Sequence, residues 1–263
     1  MQSNWLPLSI MLLLLVPGCR STESLEQAEP IPARHIYRIG PAPGDSESYA
    51  WLQTYRDNME ADHYSVPVAR LMSDLEGGGP ESPLWNLMSD LFRYRATLIA
   101  ETFVHVALLD PERFQSDLEP GPITQGDLYH FYPAPDPVTV LGITRDQVDE
   151  LAHQIARSGP LPMSGLRMVI SGDRAYNVVL DYSDLNRDGL YHVAVPTHLL
   201  ASGRYPVLQE AETRSQFDVR VRDLIAAHMK TYRSLEAYRD LRLRITPEQE
   251  CEDGQEALAS RCL

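Results

Sequence analysis

Hydrophobic positions in the first half of the chain recur at helical spacing. Residues 49–75 show this spacing, with Pro67 dividing the pattern into two helices. A Gly-Gly-Gly-Pro run then interrupts the chain, and Ser82 before Pro83 is typical of a helix N-terminus. The apolar face that follows predicts a long helix over residues 84–109, which stops at an Asp-Pro pair.

In the second half a strand pattern comes first and a helical pattern follows it. Residues 138–143 are mostly aliphatic and predict a strand. Thr144 and Gln147 form a capping-box pattern directly after it. We therefore expect a helix that begins there, reaches Arg157 and ends at Gly159.

Short strand-like runs occupy the next part of the chain. Residues 166–171, 176–182 and 191–196 are rich in β-branched or aromatic side chains, and Gly-Asp and Asp-Gly turns separate them. This arrangement predicts a small antiparallel meander. An amphipathic pattern over residues 215–243 predicts a final long helix.

These elements predict an α+β fold in which several amphipathic helices pack on a small, mostly antiparallel sheet. The composition, 43% hydrophobic and 23% charged, is that of an ordinary globular protein. Residues 49–263 are expected to form a single domain. Its part 49–118 is helical, its part 123–246 contains strands and helices, and residues 247–263 are a tail that carries cysteines.

The first 19 residues have a different character. Residues 5–16 are mostly apolar, a stretch well short of the roughly 20 residues that a spanning helix needs. The length fits the apolar region of a signal peptide. The run Val16-Pro17-Gly18-Cys19 resembles the lipobox of bacterial lipoproteins, although Pro17 stands where a small residue is usual.

That resemblance implies that residues 1–18 are a signal peptide and that Cys19 is lipidated. Residues 19–48, rich in Ser, Glu and Pro, would then be a flexible tether. Arg20 is not the aspartate associated with inner-membrane retention, so the implied location is the outer membrane, facing the periplasm. The lipid anchor would make the membrane one partner, with an envelope protein as another. An ordinary secretory peptide or an uncleaved short anchor are the alternatives.

The net charge and the cysteine content bear on the partners of the protein and on its disulfide bonding. The formal net charge of −14 argues against nucleic acid as a partner, because phosphate backbones are bound by clustered basic residues. If Cys19 is lipidated, Cys251 and Cys262 remain, and an oxidising periplasm allows them to form a disulfide bond. The alternative is two unpaired thiols.

One short motif predicts a metal site. Asp184, Asn186 and Asp188, followed by a glycine, resemble the start of a calcium-binding loop, with oxygen ligands at alternate positions. The resemblance fails at the twelfth position, where Val195 replaces the usual glutamate. Asp181 or Asp173 could supply a further ligand. The alternative is that Asp, Asn and Gly occur here because turns favour them.

Paired histidines are weaker candidates for a site. Glu101 and His105 are spaced to lie one helical turn apart, where they could act as ligands or as an acid–base pair. His192 and His198 flank the end of a predicted strand and could face the same cleft. A structural role for each of these pairs is the commoner alternative.

The segment 129–137 begins with a group of aromatic residues and continues with three prolines. It is either an exposed recognition strip or a loop that covers the core.

No catalytic signature for a nucleophilic serine, a zinc protease or a nucleotide-binding loop occurs in the chain. We therefore hypothesise a non-enzymatic, lipid-anchored envelope protein that binds or scaffolds a partner. The alternative is a calcium-dependent envelope hydrolase whose site lies near Asp184 and Asp188. Enzymatic activity stays uncertain on the sequence alone.

Overall fold

A computed structural model describes residues 64–247 of the chain, and all of these residues fall in one compact unit. The predictions for the signal peptide, Cys19 and the tether lie outside the described residues, as do those for Cys251 and Cys262. Between residues 64 and 247, no helix is long and apolar enough to cross a membrane.

Strands and helices alternate irregularly along this part of the chain. Within residues 64–247 the strands are β1 (Pro67–Leu71), β2 (Val106–Leu108), β3 (Gly121–Thr124), β4 (Pro137–Ile143), β5 (Met163–Ser164), β6 (Leu166–Ser171), β7 (Arg174–Leu180), β8 (Tyr191–Pro196), β9 (Thr213–Arg220), β10 (Ser234–Leu235) and β11 (Leu243–Thr246). The α-helices of the same region are α1 (Pro83–Ala100), α2 (Gln125–Phe131), α3 (Arg145–Ser158), α4 (Thr197–Ala201) and α5 (Val221–Tyr232). Short 3₁₀ turns lie at Pro111–Arg113 and Pro206–Glu210.

The strands form three sheets, each of which mixes parallel and antiparallel pairs. The central sheet has the order β5-β2-β8-β4-β9, in which β2 and β8 are parallel and the other pairs are antiparallel. The two smaller sheets have the orders β10-β1-β3 and β11-β6-β7. The fold is therefore α+β, as predicted, but its sheets are more numerous and less uniformly antiparallel than expected.

The central sheet separates two hydrophobic cores. Every residue of β8 is buried; Ala194 belongs to one core, while its neighbours Val193 and Val195 belong to the other. Alternate residues of a strand point to opposite faces, so both faces of the sheet are covered. The first core also contains the buried faces of α1, α2 and α5, and the second contains that of α3.

Helix ends that the sequence marks with capping residues lie where they were predicted. The Ser82 hydroxyl accepts a hydrogen bond from the Trp85 amide at the start of α1. At the start of α3, Thr144 and Gln147 form both hydrogen bonds of a capping box. Gly159 follows this helix as its C-cap. Capping depends on neighbours in the chain, which explains why these ends could be predicted.

The prediction of one helix over residues 84–109 is wrong at its C-terminal end. Helix α1 ends at Ala100, and Glu101 takes the left-handed conformation with a φ of 51°. The chain then enters β2, whose three residues are all buried inside the central sheet. A strand that is buried on both faces is apolar at consecutive positions, and such a run can be mistaken for the end of a helix.

The prediction of a helix over residues 215–243 is wrong in its first and last parts. Residues up to Arg220 form β9 at the edge of the central sheet, and only Val221–Tyr232 is helical. Along β9 the half-buried side chains, including Phe217 and Val219, alternate with exposed ones. This two-residue period was obscured by the helical pattern of α5.

Two further predictions about local structure are wrong. In the described part of the range 49–75, residues 67–71 form strand β1 rather than a helix, so the region 49–118 is not wholly helical. The runs near β6, β7 and β8 do not form one meander, because β8 leaves that hairpin and joins the central sheet between β2 and β4. Long-range pairing decides both outcomes, and local sequence carries little information about it.

Gly165 provides a test of how tightly β5, β6 and the start of β2 pack. Its φ is +81°, and a Cβ at this position would overlap the carbonyl oxygen of His105. Gly159 has a φ of +96° and open space around its Cβ position. We expect Gly159→Ala to lower the free energy of unfolding by about 1 kcal/mol, and Gly165→Ala by about 2 kcal/mol more, because backbone must also move. Urea unfolding of both variants measures the difference; equal losses would contradict the packing described here.

Candidate functional site

Polar side chains converge at one edge of the central sheet. The parallel strands β2 and β8 both end there, and Asp110 and His198 each follow the end of their strand by two residues. Strand β4 runs antiparallel to β8 and begins at this same edge, directly after Asp136. The topology therefore brings together three side chains that are far apart in the chain. We call Asp110, Arg113, Asp136, His198 and Arg204 the His198 cluster.

The imidazole of His198 lies between two carboxylates. Its Nε2 atom is 2.9 Å from Asp110 Oδ2, in hydrogen-bond geometry. Its Nδ1 atom is 3.3 Å from Asp136 Oδ1, within ion-pair distance but without the geometry of a hydrogen bond. Both carboxylate side chains are less than one-tenth exposed, and the ring is 19% exposed. The ring is thus held from both sides near the surface.

Two arginines flank this arrangement and are more exposed. Arg113 Nε lies 3.4 Å from Asp136 Oδ2, and Arg204 Nη1 lies 3.8 Å from Asp110 Oδ1. Arg204 also forms an ion pair of 3.0 Å with the largely exposed Glu112. About a third of each guanidinium-bearing side chain reaches solvent. These long contacts leave guanidinium N–H groups able to bind an anionic ligand.

Burial and hydrogen bonding set the charges in the His198 cluster. Burial alone would raise the pKa of Asp110, but hydrogen bonds from His198 and from the Glu112 amide outweigh it, and the pKa lies below its usual value. Burial raises the pKa of Tyr132, and so does the neighbouring charge of Asp136, whose Oδ2 accepts the Tyr132 hydroxyl at 3.0 Å. Asp110 is therefore a carboxylate and Tyr132 a neutral donor at physiological pH.

The histidine pairs expected from the sequence do not form as such. His192 is the second residue of β8, and His198 follows the other end of that strand; about 13 Å of strand separates His192 from that end, so the two side chains do not face one cleft. Glu101 and His105 do not share a helix face, because α1 has ended before His105. Of these four residues, only His198 belongs to the convergent edge.

At the other end of β8, His105 and His192 form a separate set of contacts. The Nδ1 atom of His105 accepts a hydrogen bond from the His192 amide, and its Nε2 atom donates to the carbonyl oxygen of Asp184 at 2.8 Å. Burial lowers the pKa of His105, so its ring is neutral. The Nε2 atom of His192 lies 2.7 Å from Asp188 Oδ2. These contacts fasten the loop between β7 and β8 to the sheet.

The predicted calcium ligands lie in this same loop. The Asn186 amide donates to the Phe103 carbonyl at 2.8 Å, and the Asp188 carboxylate contacts His192 and accepts the Leu190 amide. In the described range 64–247, no group of three or more His, Cys, Asp or Glu side chains is arranged to hold a metal ion. The calcium site stays a prediction, and its residues have a structural role in the loop without a cation.

The aromatic segment over residues 129–137 mainly covers the core. Phe131 and Tyr132 are fully buried, and the guanidinium of Arg222 lies 3.7 Å from the ring centre of Tyr129. The segment also delivers Asp136 to the His198 cluster. Sequence reasoning missed that role, and it treated Asp110 only as the end of a helix. A carboxylate that directly follows a buried strand was the available signal.

The lowered pKa of Asp110 predicts a pH-dependent contribution to stability. The contribution is present above the ordinary carboxyl pKa of 3.8 and is lost as the pH falls through the lower folded-state value. We expect Asp110→Asn to lower the free energy of unfolding by about 2 kcal/mol at pH 7, because a charged hydrogen-bond acceptor is removed. The difference from the wild type should shrink in urea titrations below pH 4. Asp218→Asn, at an exposed position on β9, is the control and should have little effect at either pH.

Comparisons with known proteins agree on one group. The family model of the 5'-nucleotidase C-terminal domain matches residues 63–210. No curated protein matches the sequence of this chain. Among solved structures, the 5'-nucleotidase precursor of Thermus thermophilus is similar with a TM-score of 0.62 and 21% identity, over 75% of this chain and 42% of that one.

Two further structures share the fold at lower identity. The NAD nucleotidase of Haemophilus influenzae aligns with a TM-score of 0.59 and 14% identity, over 76% of this chain and 41% of its own. The sulfate thiohydrolase SoxB of Thermus thermophilus aligns with a TM-score of 0.57 and 16% identity, over 76% and 38%. This chain therefore spans less than half the length of the structures that it resembles.

These matches contradict both functional hypotheses drawn from the sequence. The family model is that of a 5'-nucleotidase domain, which contradicts the hypothesis of a non-enzymatic binding or scaffolding protein and that of a calcium-dependent hydrolase. The sequence search for short catalytic signatures missed the family because its match extends over 63–210 and does not depend on a compact motif.

Proposed function

The chain belongs to the family of the 5'-nucleotidase C-terminal domain, and from this membership we propose that it binds 5'-nucleotides as part of a nucleotidase activity. The His198 cluster is the proposed binding site. The observation that carries this assignment is the meeting of Asp110, Asp136 and His198 at one sheet edge. All five residues of the cluster lie within the matched range 63–210.

The position of the cluster supports a ligand site. In sheets with parallel strands, ligands commonly bind outside the carboxyl ends of those strands, where loops carry side chains beyond the packed core. Asp110 and His198 occupy such positions after β2 and β8. The cluster is also held by buried neighbours, so its geometry does not depend on a ligand being present.

The chemistry of the cluster suits a phosphorylated sugar. The guanidinium groups of Arg113 and Arg204 can donate paired hydrogen bonds to phosphate oxygens. The carboxylates of Asp110 and Asp136 can accept hydrogen bonds from ribose hydroxyls. His198 contacts both carboxylates and keeps them apart. The cluster thus offers donors and acceptors to the two polar parts of a nucleotide.

The fold by itself does not identify the nucleotide. Structures named for nucleotides and for a sulfate thiohydrolase share it at 21% identity or less. The 5'-nucleotide class comes from the family, and AMP is its simplest purine representative. Because the chain spans less than half of those structures, hydrolysis by this chain alone is part of the proposal.

Calorimetric titration of the full chain with AMP tests the proposed site, together with an assay of phosphate release from AMP. We expect His198→Ala and Arg204→Ala each to weaken AMP binding at least tenfold, because each removes charged hydrogen-bonding groups from the cluster. His130→Ala and Arg214→Ala are matched controls at exposed positions and should change binding less than twofold.

A full chain that neither binds AMP nor releases phosphate from it would contradict the proposed function. Binding that survives both cluster variants would keep the family assignment but remove the His198 cluster as the site.

We further propose that the chain is anchored by lipid at Cys19 and faces the periplasm from the outer membrane, with Cys251 and Cys262 joined. The Val16–Cys19 run and the odd cysteine count support this proposal. Several acyl chains on one cysteine would hold the protein at the surface durably, at about 0.8 kcal/mol per buried methylene group.

Expression in a double-membrane bacterium with Cys19→Ala tests the anchor. We expect the variant to leave the membrane fraction, and mass spectrometry of the wild-type N-terminus to find acyl groups on Cys19. Cys251→Ala is the control and should stay with the membrane. A Cys19→Ala protein that still fractionates with membranes, with no acyl group on the wild type, would contradict the anchor.

A further inference from the structure

A second polar site lies on the sheet β10-β1-β3, and none of its lining residues belongs to the His198 cluster. A pocket of about 540 Å³ opens between β1 and the end of α5. Three cationic side chains line it: Arg70, Lys230 and Arg233. The remaining lining residues are apolar, and none of the lining residues is acidic.

Backbone contacts hold the two arginines side by side. The Arg70 amide donates a hydrogen bond of 2.6 Å to the carbonyl oxygen of Arg233. Arg233 ends α5 in the left-handed conformation with a φ of 42°, and the chain then pairs with β1 through Ser234. Arg70 is exposed, while Ala69 and Leu71 on either side of it are buried. The cations therefore come from separate elements that strand pairing brings together.

These three cations have no carboxylate partner among the described residues, unlike six arginines elsewhere in the same part of the chain. In the described part of the chain, Arg113, Arg145, Arg157, Arg167, Arg204 and Arg242 each form an ion pair with a carboxylate. No carboxylate of residues 64–247 lies within ion-pair distance of Arg70, Lys230 or Arg233. The Lys230 Nζ atom donates to the neutral Gln125 side chain at 3.0 Å. In a chain of net charge −14, three adjacent cations without a carboxylate partner among residues 64–247 concentrate positive potential at one point.

The C-terminal end of α5 explains part of this arrangement but not all of it. Lys230 and Arg233 lie where helix carbonyl groups favour positive charge. Arg70 lies on strand β1 and is not part of a helix end, so this effect does not explain its position. The pocket also has apolar lining residues, which include the half-exposed Val66 and the exposed Pro122. Binding of a charge alone would not require this apolar surface.

We propose that Arg70, Lys230 and Arg233 bind the phosphate group of a ligand whose apolar part lies on Val66 and Pro122. Two sources share this chemistry: a soluble organic phosphate and the headgroup of an anionic phospholipid. This site is separate from the His198 cluster and does not require nucleotide binding.

Two probes test the site in the full chain and separate its sources. Phenylphosphonate carries a phosphate-like dianion on an apolar ring, and calorimetric titration measures its affinity. Vesicles of phosphatidylglycerol or of phosphatidylcholine, in a co-sedimentation assay with Cys19→Ser protein, measure headgroup binding. The apolar residues 1–18 are the same in the wild type and in the variants, so a difference in vesicle binding between them reports on the pocket.

The test variant combines Arg70→Gln with Arg233→Asn, because asparagine tolerates the left-handed conformation. The control combines Arg214→Gln with Arg220→Asn, two exposed positions on β9 with the same change in charge. We expect at least tenfold weaker binding of phenylphosphonate, of phosphatidylglycerol vesicles or of both in the test variant. The control should lose less than twofold, and added salt should weaken binding.

The identity of the responding probe names the source of the phosphate. A wild-type chain that binds neither probe, or a control variant that loses as much affinity as the test variant, would overturn the proposal. Repeating the phenylphosphonate titrations in an Arg204→Ala background weakens phosphate binding at the His198 cluster, and the loss in the test variant should persist in that background. The outcome is therefore independent of whether the nucleotide site is correct.

Discussion

Parallel pairing of β2 with β8 is the constraint on which the rest of the structure depends. Val106 pairs with Val193 and Ala107 with Ala194, and both strands are buried on both faces. Because the two strands run in the same direction, everything that follows them meets at one edge and everything that precedes them meets at the other. Asp110 and His198 are brought together by this direction alone. The loop that joins β7 to β8 is fastened at the opposite edge, where His105 Nε2 donates to the carbonyl oxygen of Asp184.

A second constraint holds the end of the described chain against α1. The buried Arg242 donates to both oxygens of Asp90, at 2.8 and 2.7 Å, and its Nε atom donates to Asp240 at 2.7 Å. Burial would lower the pKa of this guanidinium, but the two carboxylates outweigh it and raise the pKa. Only the guanidinium side of these ion pairs is buried, since the side chains of Asp90 and Asp240 are 43% and 29% exposed. Their consequence here is positional, since β11 is fixed beside β6 directly after them.

Elements that depend on near neighbours were predictable from the sequence, and elements that depend on distant pairing were not. The start of α1 at Ser82 and the capping box at Thr144 follow from residues three positions apart. Strand β2 could not be predicted in this way, because a run of consecutive apolar residues fits a helical pattern as well as a buried strand. The candidate site could therefore not be predicted either. Asp110 appeared to end a helix, and only the pairing of β2 with β8 places it beside His198. The charge of the site depends on the same pairing.

The His198 cluster divides into a fixed inner part and an exchangeable outer part. Asp110 and Asp136 are buried and are held by His198 and Tyr132, so their carboxylates keep their positions whether or not a ligand is present. Arg204, in contrast, is paired with the exposed Glu112, and a surface ion pair of this kind contributes about 0 to 1 kcal/mol. Replacing Glu112 by a phosphate group as the partner of Arg204 therefore costs little free energy. This holds for any ligand that carries a phosphate group. In the proposed site, discrimination between phosphorylated ligands would then come from the fixed carboxylates, through the hydroxyl-bearing part of the ligand.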